Sequence, residues 1–321
     1  MKLILAPMEG LLDTYLREII TCVGGYDWCV SEFIRVTTMV LPVKVFYRSV
    51  PELLNAGVTQ AGTPVYIQLM GNDPSVIADN AAQAISLGAP GIDLNFGCPS
   101  PTVNGKGAGA ILLNEPERVH QIVQATRQTV PVETPFMAKV RLGFDHTDNI
   151  IEIAQGIEAA GADMITVHAR TSVDKYKAPA RWEWLARIRE SINIPVIANG
   201  DISDINSFSE CKSVSGCDNF MIGRASVRHP FLARQIRQST QQQTIQKIKW
   251  TEQQELLLQF SILMRKSDND IGSASRVKKW LNILTKGSPE NQLEAKLLFE
   301  KIRTVTKLEQ IIQLLKITDE K

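Results

Sequence analysis

The chain has 321 residues, of which 35 are Lys or Arg and 34 are Asp or Glu, with 44% hydrophobic and 21% charged residues. This is the composition of an ordinary folded protein with room for one large domain and a small one, and it excludes a disordered or collagen-like chain. No apolar run approaches the ~20 residues that span a bilayer. The charge is uneven: residues 1–240 hold 21 basic and 24 acidic side chains, and residues 241–321 hold 14 and 10. A mildly basic C-terminal part is compatible with RNA binding, and equally with a solvated helical surface.

The chain opens with a short apolar segment at 3–7, read as a strand rather than as a signal peptide. Similar segments recur at 28–31, 65–69, 91–95, 136–141, 164–168, 195–199 and 219–222. Amphipathic helical stretches lie between most of them, at 75–87, 116–129, 150–160, 182–191 and 205–212. Strand alternating with helix predicts a parallel sheet. Eight such units match a (β/α)8 TIM barrel. An open doubly wound sheet would carry G-x-G-x-x-G after its first strand, and Pro7-Met8-Glu9-Gly10 stands there instead. The expected barrel covers residues 1–240. A glutamine-rich linker at 238–249 then leads to a helical domain at 250–321, with periodic stretches at 252–264, 275–284, 293–305 and 308–315. Val277, Trp280, Leu281 and Leu284 form one apolar stripe there, and Arg276 and Lys279 lie off it.

Five cysteines (22, 29, 98, 211, 217) without a C-x-x-C pattern point to reduced thiols and a cytoplasmic protein. The four histidines (120, 146, 168, 229) have no metal-ligand spacing, and no metal site is expected. Cys98 stands where the fourth strand breaks into a loop with glycines at 105, 107 and 109. A free cysteine is often an inert buried residue, but Pro99 and the glycine-rich run suggest a functional loop able to act as a lid. The run is not a P-loop, because Ser100 and Gly107 occupy two of its required positions.

Barrel enzymes place their sites at the C-terminal ends of the strands. Polar groups stand at nearly all of these ends: Pro7-Met8-Glu9, Gln68, Asn95 with Cys98, Lys139 with Arg141, His168-Ala169-Arg170-Thr171, Asn199-Gly200-Asp201, and Gly223-Arg224. The last two groups lie where barrels commonly hold a phosphate. Lys139 either pairs with a carboxylate or offers a fixed positive charge to an anionic ring.

Together, Ala6-Pro7-Met8-Glu9-Gly10, Asn95-x-Gly97-Cys98-Pro99-Ser100, Lys139-Val140-Arg141-Leu142-Gly143, His168-Ala169-Arg170-Thr171, Asn199-Gly200-Asp201 and Ile222-Gly223-Arg224 resemble the tRNA-dihydrouridine synthases. Pro7–Gly10 and the run from Cys98 to Gly105 are most similar to the bacterial C subfamily, which acts on U16 of the tRNA D-loop. Asp201 replaces the usual Glu, and Pro101 and Lys106 alter the lid. The resemblance implies a non-covalent FMN reduced by NADPH, a hydride delivered to C6 of a uracil, and Cys98 as the proton donor to C5. It implies flavin contacts from Pro7, Met8, Glu9, Gln68 and Lys139, and a grip on the ribityl phosphate end by His168, Asn199, Gly200, Asp201, Gly223 and Arg224. Asn95 would touch the target uracil, and Arg35, Tyr176, Arg276, Lys278 and Arg303 would face the tRNA D-loop and elbow. The expected partners are tRNA and NADPH, with no membrane and a monomeric enzyme. A flavin dehydrogenase of free pyrimidines and a tRNA-binding folding aid are the alternatives.

Overall fold

The computed structural model of the chain describes residues 1–267 and 269–316. Two compact units emerge: Met1–Thr14 with Tyr26–Gly223, and Tyr15–Gly25 with the chain from Arg224 onward. Chain order alone, which suggests a cut between 240 and 250, does not show the long-range contacts that draw 15–25 into the second unit. Arg237 Nε donates to Gly25 O at 3.1 Å, and the Arg276 guanidinium lies 5.4 Å from the centre of the Tyr15 ring.

The first unit is a closed parallel barrel. Its strands are β1 (Lys2–Leu5), β2 (Trp28–Val30), β3 (Ile34–Arg35), β4 (Val65–Met70), β5 (Ile92–Phe96), β6 (Phe136–Arg141), β7 (Met164–His168), β8 (Val196–Asn199) and β9 (Asn219–Ile222). The order runs β2-β1-β9-β8-β7-β6-β5-β4, and β4 pairs back onto β2 to close the ring. The eight expected segments are the eight barrel strands. β3 was not expected; it continues the course of β2 along β4, and the Ser31 hydroxyl accepts the Gln68 N–H at 3.1 Å between the two pairings.

Strand residues alternate between the barrel interior and the helices outside. Ile4, Trp28, Val30, Tyr66, Met137, Ile197 and Met221 pack as an apolar interior, with the Trp28 and Tyr66 rings stacked at 5.3 Å. Gly91 is required beside them, since a Cβ there would come within 2.7 Å of the Tyr66 ring. Two residues further along the same strands stand Gln68, Asp93, Lys139, Asn199 and Gly223. Period-two geometry therefore places a polar layer on an apolar floor, toward the strand ends where barrels do chemistry.

The outer helices carry ordinary caps. Asp73 accepts the Val76 N–H at 3.0 Å to start Pro74–Ser86, and Asp204 with Ser207 forms a capping box at the head of Ile205–Ser215. In the second unit, Trp250–Leu263, Asp270–Leu284, Gln292–Ile302 and Leu308–Lys316 follow the helical expectation. The Val277–Leu284 stripe is buried, Trp280 stands edge-on to Phe260 at 5.1 Å, and its indole N–H donates to Val227 O at 3.0 Å. Among the described residues, no helix is long and apolar enough to cross a membrane.

Candidate active site

Cys98 leaves the end of β5 through a turn made by Asn95. The Asn95 Oδ1 accepts the backbone N–H groups of Gly97 at 2.9 Å and Cys98 at 3.0 Å. The half-buried thiol packs with Phe33 against Met70, Val103 and Ala108. Gly109, at φ 73°, keeps this fit possible, because a Cβ there would come within 2.8 Å of Val103 and 3.2 Å of Cys98 Cβ. The loop expected to be a lid is folded: Pro101–Asn104 is a helical turn and Gly109–Asn114 a 3₁₀ turn. Pro101 at its first position favours the turn, and buried Val103 pins it. Burial pushes the Cys98 thiol above its ordinary pKa, and the Glu9 charge acts the same way. The Ser100 N–H, Arg141 and Arg35 oppose them without reversing the shift. At neutral pH the group is a thiol, an acid rather than a nucleophile.

Two short chains of polar side chains line the interior beneath it. In one, Asn95 Nδ2 donates to Gln68 Oε1 at 2.7 Å and Gln68 Nε2 donates to Asp93 Oδ2 at 2.6 Å. In the other, Lys139 Nζ donates to Asn199 Oδ1 at 3.2 Å and Asn199 Nδ2 donates to Met221 O at 2.8 Å. Burial raises the Asp93 carboxyl to about 7, against the pull of the Gln68 hydrogen bond and the Lys139 charge. Burial, followed by repulsion from Arg141, lowers Lys139 to about 8, while Asp93 and Cys98 pull it back up. Lys139 thus donates to an amide rather than to a carboxylate, and its charge stands in poorly solvated surroundings.

The ends of β7 and β8 are organised by Arg170. Its guanidinium pairs with Asp201, and its Nε donates to Lys177 O at 2.6 Å. Asp201, held at φ 55°, also accepts the Ala180 N–H at 2.8 Å. The Asp201 carboxylate is therefore committed to Arg170 and the 177–180 loop, so only its backbone is left to meet an anion. The second terminal nitrogen of Arg170 is buried without a hydrogen-bond partner among the described residues. It lies beside Gly200, where a Cβ would stand 3.6 Å from it. Gly223 is open in the same sense: a Cβ there would meet only Ala6 and Met8 Sδ, both at 3.9 Å. His168 is buried, with its ring edge-on to Tyr176 at 6.2 Å. Arg141 ties this side to the cysteine turn, donating to Gly97 O at 2.8 Å, Thr171 O at 3.1 Å and Lys175 O at 2.9 Å.

The structure thus gathers Gln68, Asn95 and Cys98 into one hydrogen-bonded set and Lys139 with Asn199 into another. Met8 is half-buried near Gly223, Pro7 is half-buried, and Glu9 is exposed. Arg35 is half-buried on β3 and Tyr176 is exposed. Arg224 is exposed and opens the helix Arg224–Arg228 in the second unit. Of the expected RNA contacts in that unit, Arg276 is half-buried over Tyr15 and Phe260. Lys278 Nζ donates to Val305 O at 2.8 Å and Arg303 O at 3.3 Å, and Arg303 pairs with Glu300 at 2.6 Å. Asp93 and Arg170 are not among the site residues to which the sequence points. The signal for Asp93 was an acid in mid-strand, two residues from Asn95 on the same face.

A closed parallel barrel with a polar layer, a protonated thiol and a buried cation toward the C-terminal ends of its strands belongs to the class of barrel enzymes. Solved barrels of similar fold include an old yellow enzyme homologue from Zymomonas mobilis, with a TM-score of 0.52 at 12% identity, covering 77% of this chain and 90% of that one. A 2-naphthoyl-CoA reductase aligns with a TM-score of 0.55 at 13% identity, over 74% and 50%. The model of the dihydrouridine synthase family matches residues 4–319. The tRNA-dihydrouridine(16) synthase of Aquipseudomonas alcaligenes is 46% identical over 98% of this chain and 99% of that protein. The protein of that name from Escherichia coli O157:H7 is 44% identical over 95% and 94%. The chain belongs to the dihydrouridine synthase family.

Proposed function

We propose that this enzyme reduces a uridine of the tRNA D-loop, at position 16, to 5,6-dihydrouridine, using FMN recharged by NADPH. The observation that carries the reading is the protonated Cys98 thiol at the end of β5, on the strand next to the one that bears the buried Lys139 charge. The position follows the name tRNA-dihydrouridine(16) synthase carried by the relatives from Aquipseudomonas alcaligenes and Escherichia coli O157:H7.

The residues present fit FMN. A phosphate needs donors out of water, and the buried, unpartnered Arg170 nitrogen beside Gly200 is one. The backbone of Gly200, Asp201 and Gly223 adds N–H groups, with His168, Asn199 and, next in the chain, Arg224 around the ribityl phosphate. Pro7, Met8, Glu9 and Gln68 would flank the ring, and Lys139 would face its electron-rich edge. Bound there, FMN would supply the hydride chemistry needed at C6 of the base. Cys98 supplies the proton to C5, and Asn95 orients the base by hydrogen bonding. A uracil must leave its stack to reach this interior, at a cost of a few kcal/mol, so the rest of the tRNA must be gripped. Arg35 and Tyr176 serve the barrel side. Arg276 and Arg303 carry charge in the second unit, while Lys278 has its ammonium already spent on two carbonyls. The enzyme acts as a monomer in the cytoplasm.

The full-length protein should purify yellow, release FMN by mass on heating, and consume NADPH with tRNA but not with free uridine. Equal turnover of free uridine would favour a small-molecule dehydrogenase, and a colourless protein that takes up no flavin would favour a binding protein.

A further inference from the structure

One fully buried polar group of the barrel is a carboxyl for which the reaction just described has no use. Asp93 is fully buried, and burial of an acid demands compensation. Its Oδ1 has no hydrogen-bond partner among the described residues, and its Oδ2 accepts from Gln68 alone. Among the described residues, its hydrogen bond to Gln68 is thus the first link of a chain that ends at Cys98.

The direction of that chain is forced. Backbone N–H groups can only donate, so the atom of Asn95 facing Gly97 and Cys98 must be its oxygen. Its nitrogen then faces Gln68 Oε1, and the Gln68 nitrogen faces Asp93. In its ionised form the Asp93 carboxylate offers only acceptors, and Gln68 meets it with its nitrogen. With the chain intact, one N–H of Asn95 goes to Gln68 and the other remains for a ligand.

We propose that Asp93 is a positioning residue that anchors the Gln68 amide and, through it, braces the Asn95 side chain in the orientation that the Gly97 and Cys98 N–H groups set. Cys98 is thereby seated, and Asn95 presents a donor, selecting a carbonyl oxygen of the substrate base. This rests on the reading of Asn95 as the base contact. It adds that the contact has a fixed polarity, set by the Gly97 and Cys98 N–H groups and braced two side chains away by Asp93, and that a group presenting an N–H at that point is rejected.

The test compares Asp93→Leu with Asp93→Asn in the full-length, flavin-containing protein. The first removes the acceptor; the second keeps an acceptor oxygen and removes the charge. Three quantities are measured: kcat and KM on tRNA, flavin reduction by NADPH without tRNA, and the rate at which iodoacetamide alkylates Cys98. Misplacement of reacting groups by about 1 Å typically costs about 10²-fold. Asp93→Leu should lose about that much in kcat on tRNA, reduce its flavin at close to the normal rate, and alkylate faster at Cys98. Asp93→Asn should recover at least about tenfold of the loss and return alkylation toward the wild-type rate. Should Asp93→Leu fail to fold, Gln68→Met breaks the chain one link higher and should show the same loss on tRNA and the same faster alkylation. Wild-type turnover and alkylation in Asp93→Leu or Gln68→Met would overturn the proposal, as would an Asp93→Asn protein as impaired as Asp93→Leu. If the wild-type protein does not reduce tRNA at all, the proposed function fails, and the alkylation rates still decide whether Asp93 seats Cys98.

Discussion

Replacing Cys98 with Ala should lower dihydrouridine formation by about 10²–10⁴-fold, the usual loss for a positioned acid. Reduction of the bound flavin by NADPH should stay near normal. The split follows from geometry and charge. The thiol stands on the turn after β5, where the Gly97 and Cys98 N–H groups donate to Asn95 and the Cys98 carbonyl accepts the Ala110 N–H at 3.1 Å. Burial keeps it protonated, so it has a proton to give throughout the neutral range. As pH rises through the elevated pKa of the thiol, the acid is lost and turnover should fall. Deleting one sulfur atom leaves the polar pairs of Gln68 with Asp93 and Lys139 with Asn199 intact, so flavin binding should persist. Stopped-flow measurement of the two half-reactions separates them. Unimpaired turnover on tRNA by the Ala variant would remove Cys98 from the mechanism.

Lys139→Met should be nearly as damaging, at about 10²–10³-fold in turnover, the scale of losing a preorganised charge at the reacting centre. It should also weaken FMN retention. Methionine keeps the length and apolar stem, so the loss reports the ammonium rather than a cavity. The pH dependence gives a second reading. Burial and Arg141 lower Lys139 to about 8, so it is charged below that pH and neutral above it. Wild-type turnover should therefore decline as pH rises through about 8, and this limb should be missing in the methionine variant. FMN titration and a pH–rate profile check both points. A variant that retains the decline would assign it to another group.

Much of this site was legible in the chain because barrel strands impose period two. Gln68, Asn95, Lys139 and Asn199 were each read at a strand end, and the closed register brings their side chains into hydrogen-bonded pairs. What the chain concealed is pairing over long distances. Asp201 read as part of a phosphate cradle, but its carboxylate belongs to Arg170, 31 residues away. Lys278 read as an RNA contact, but its ammonium caps carbonyls 25 and 27 residues on. The glycines at 105, 107 and 109 read as flexibility, whereas Gly109 provides close packing against Cys98 and Val103. Asp93 was passed over as part of an apolar strand, since nothing local shows that its partner lies on β4.

The most direct test of the account is made on tRNA from cells lacking all dihydrouridine synthases. The purified protein, NADPH and that tRNA are incubated, and the reduced bases are mapped. Dihydrouridine at position 16, absent when Cys98 is replaced with Ala, is the predicted result. Dihydrouridine at 17 or 20 with 16 untouched would contradict the assigned position, and no dihydrouridine at any position would contradict the proposed function itself.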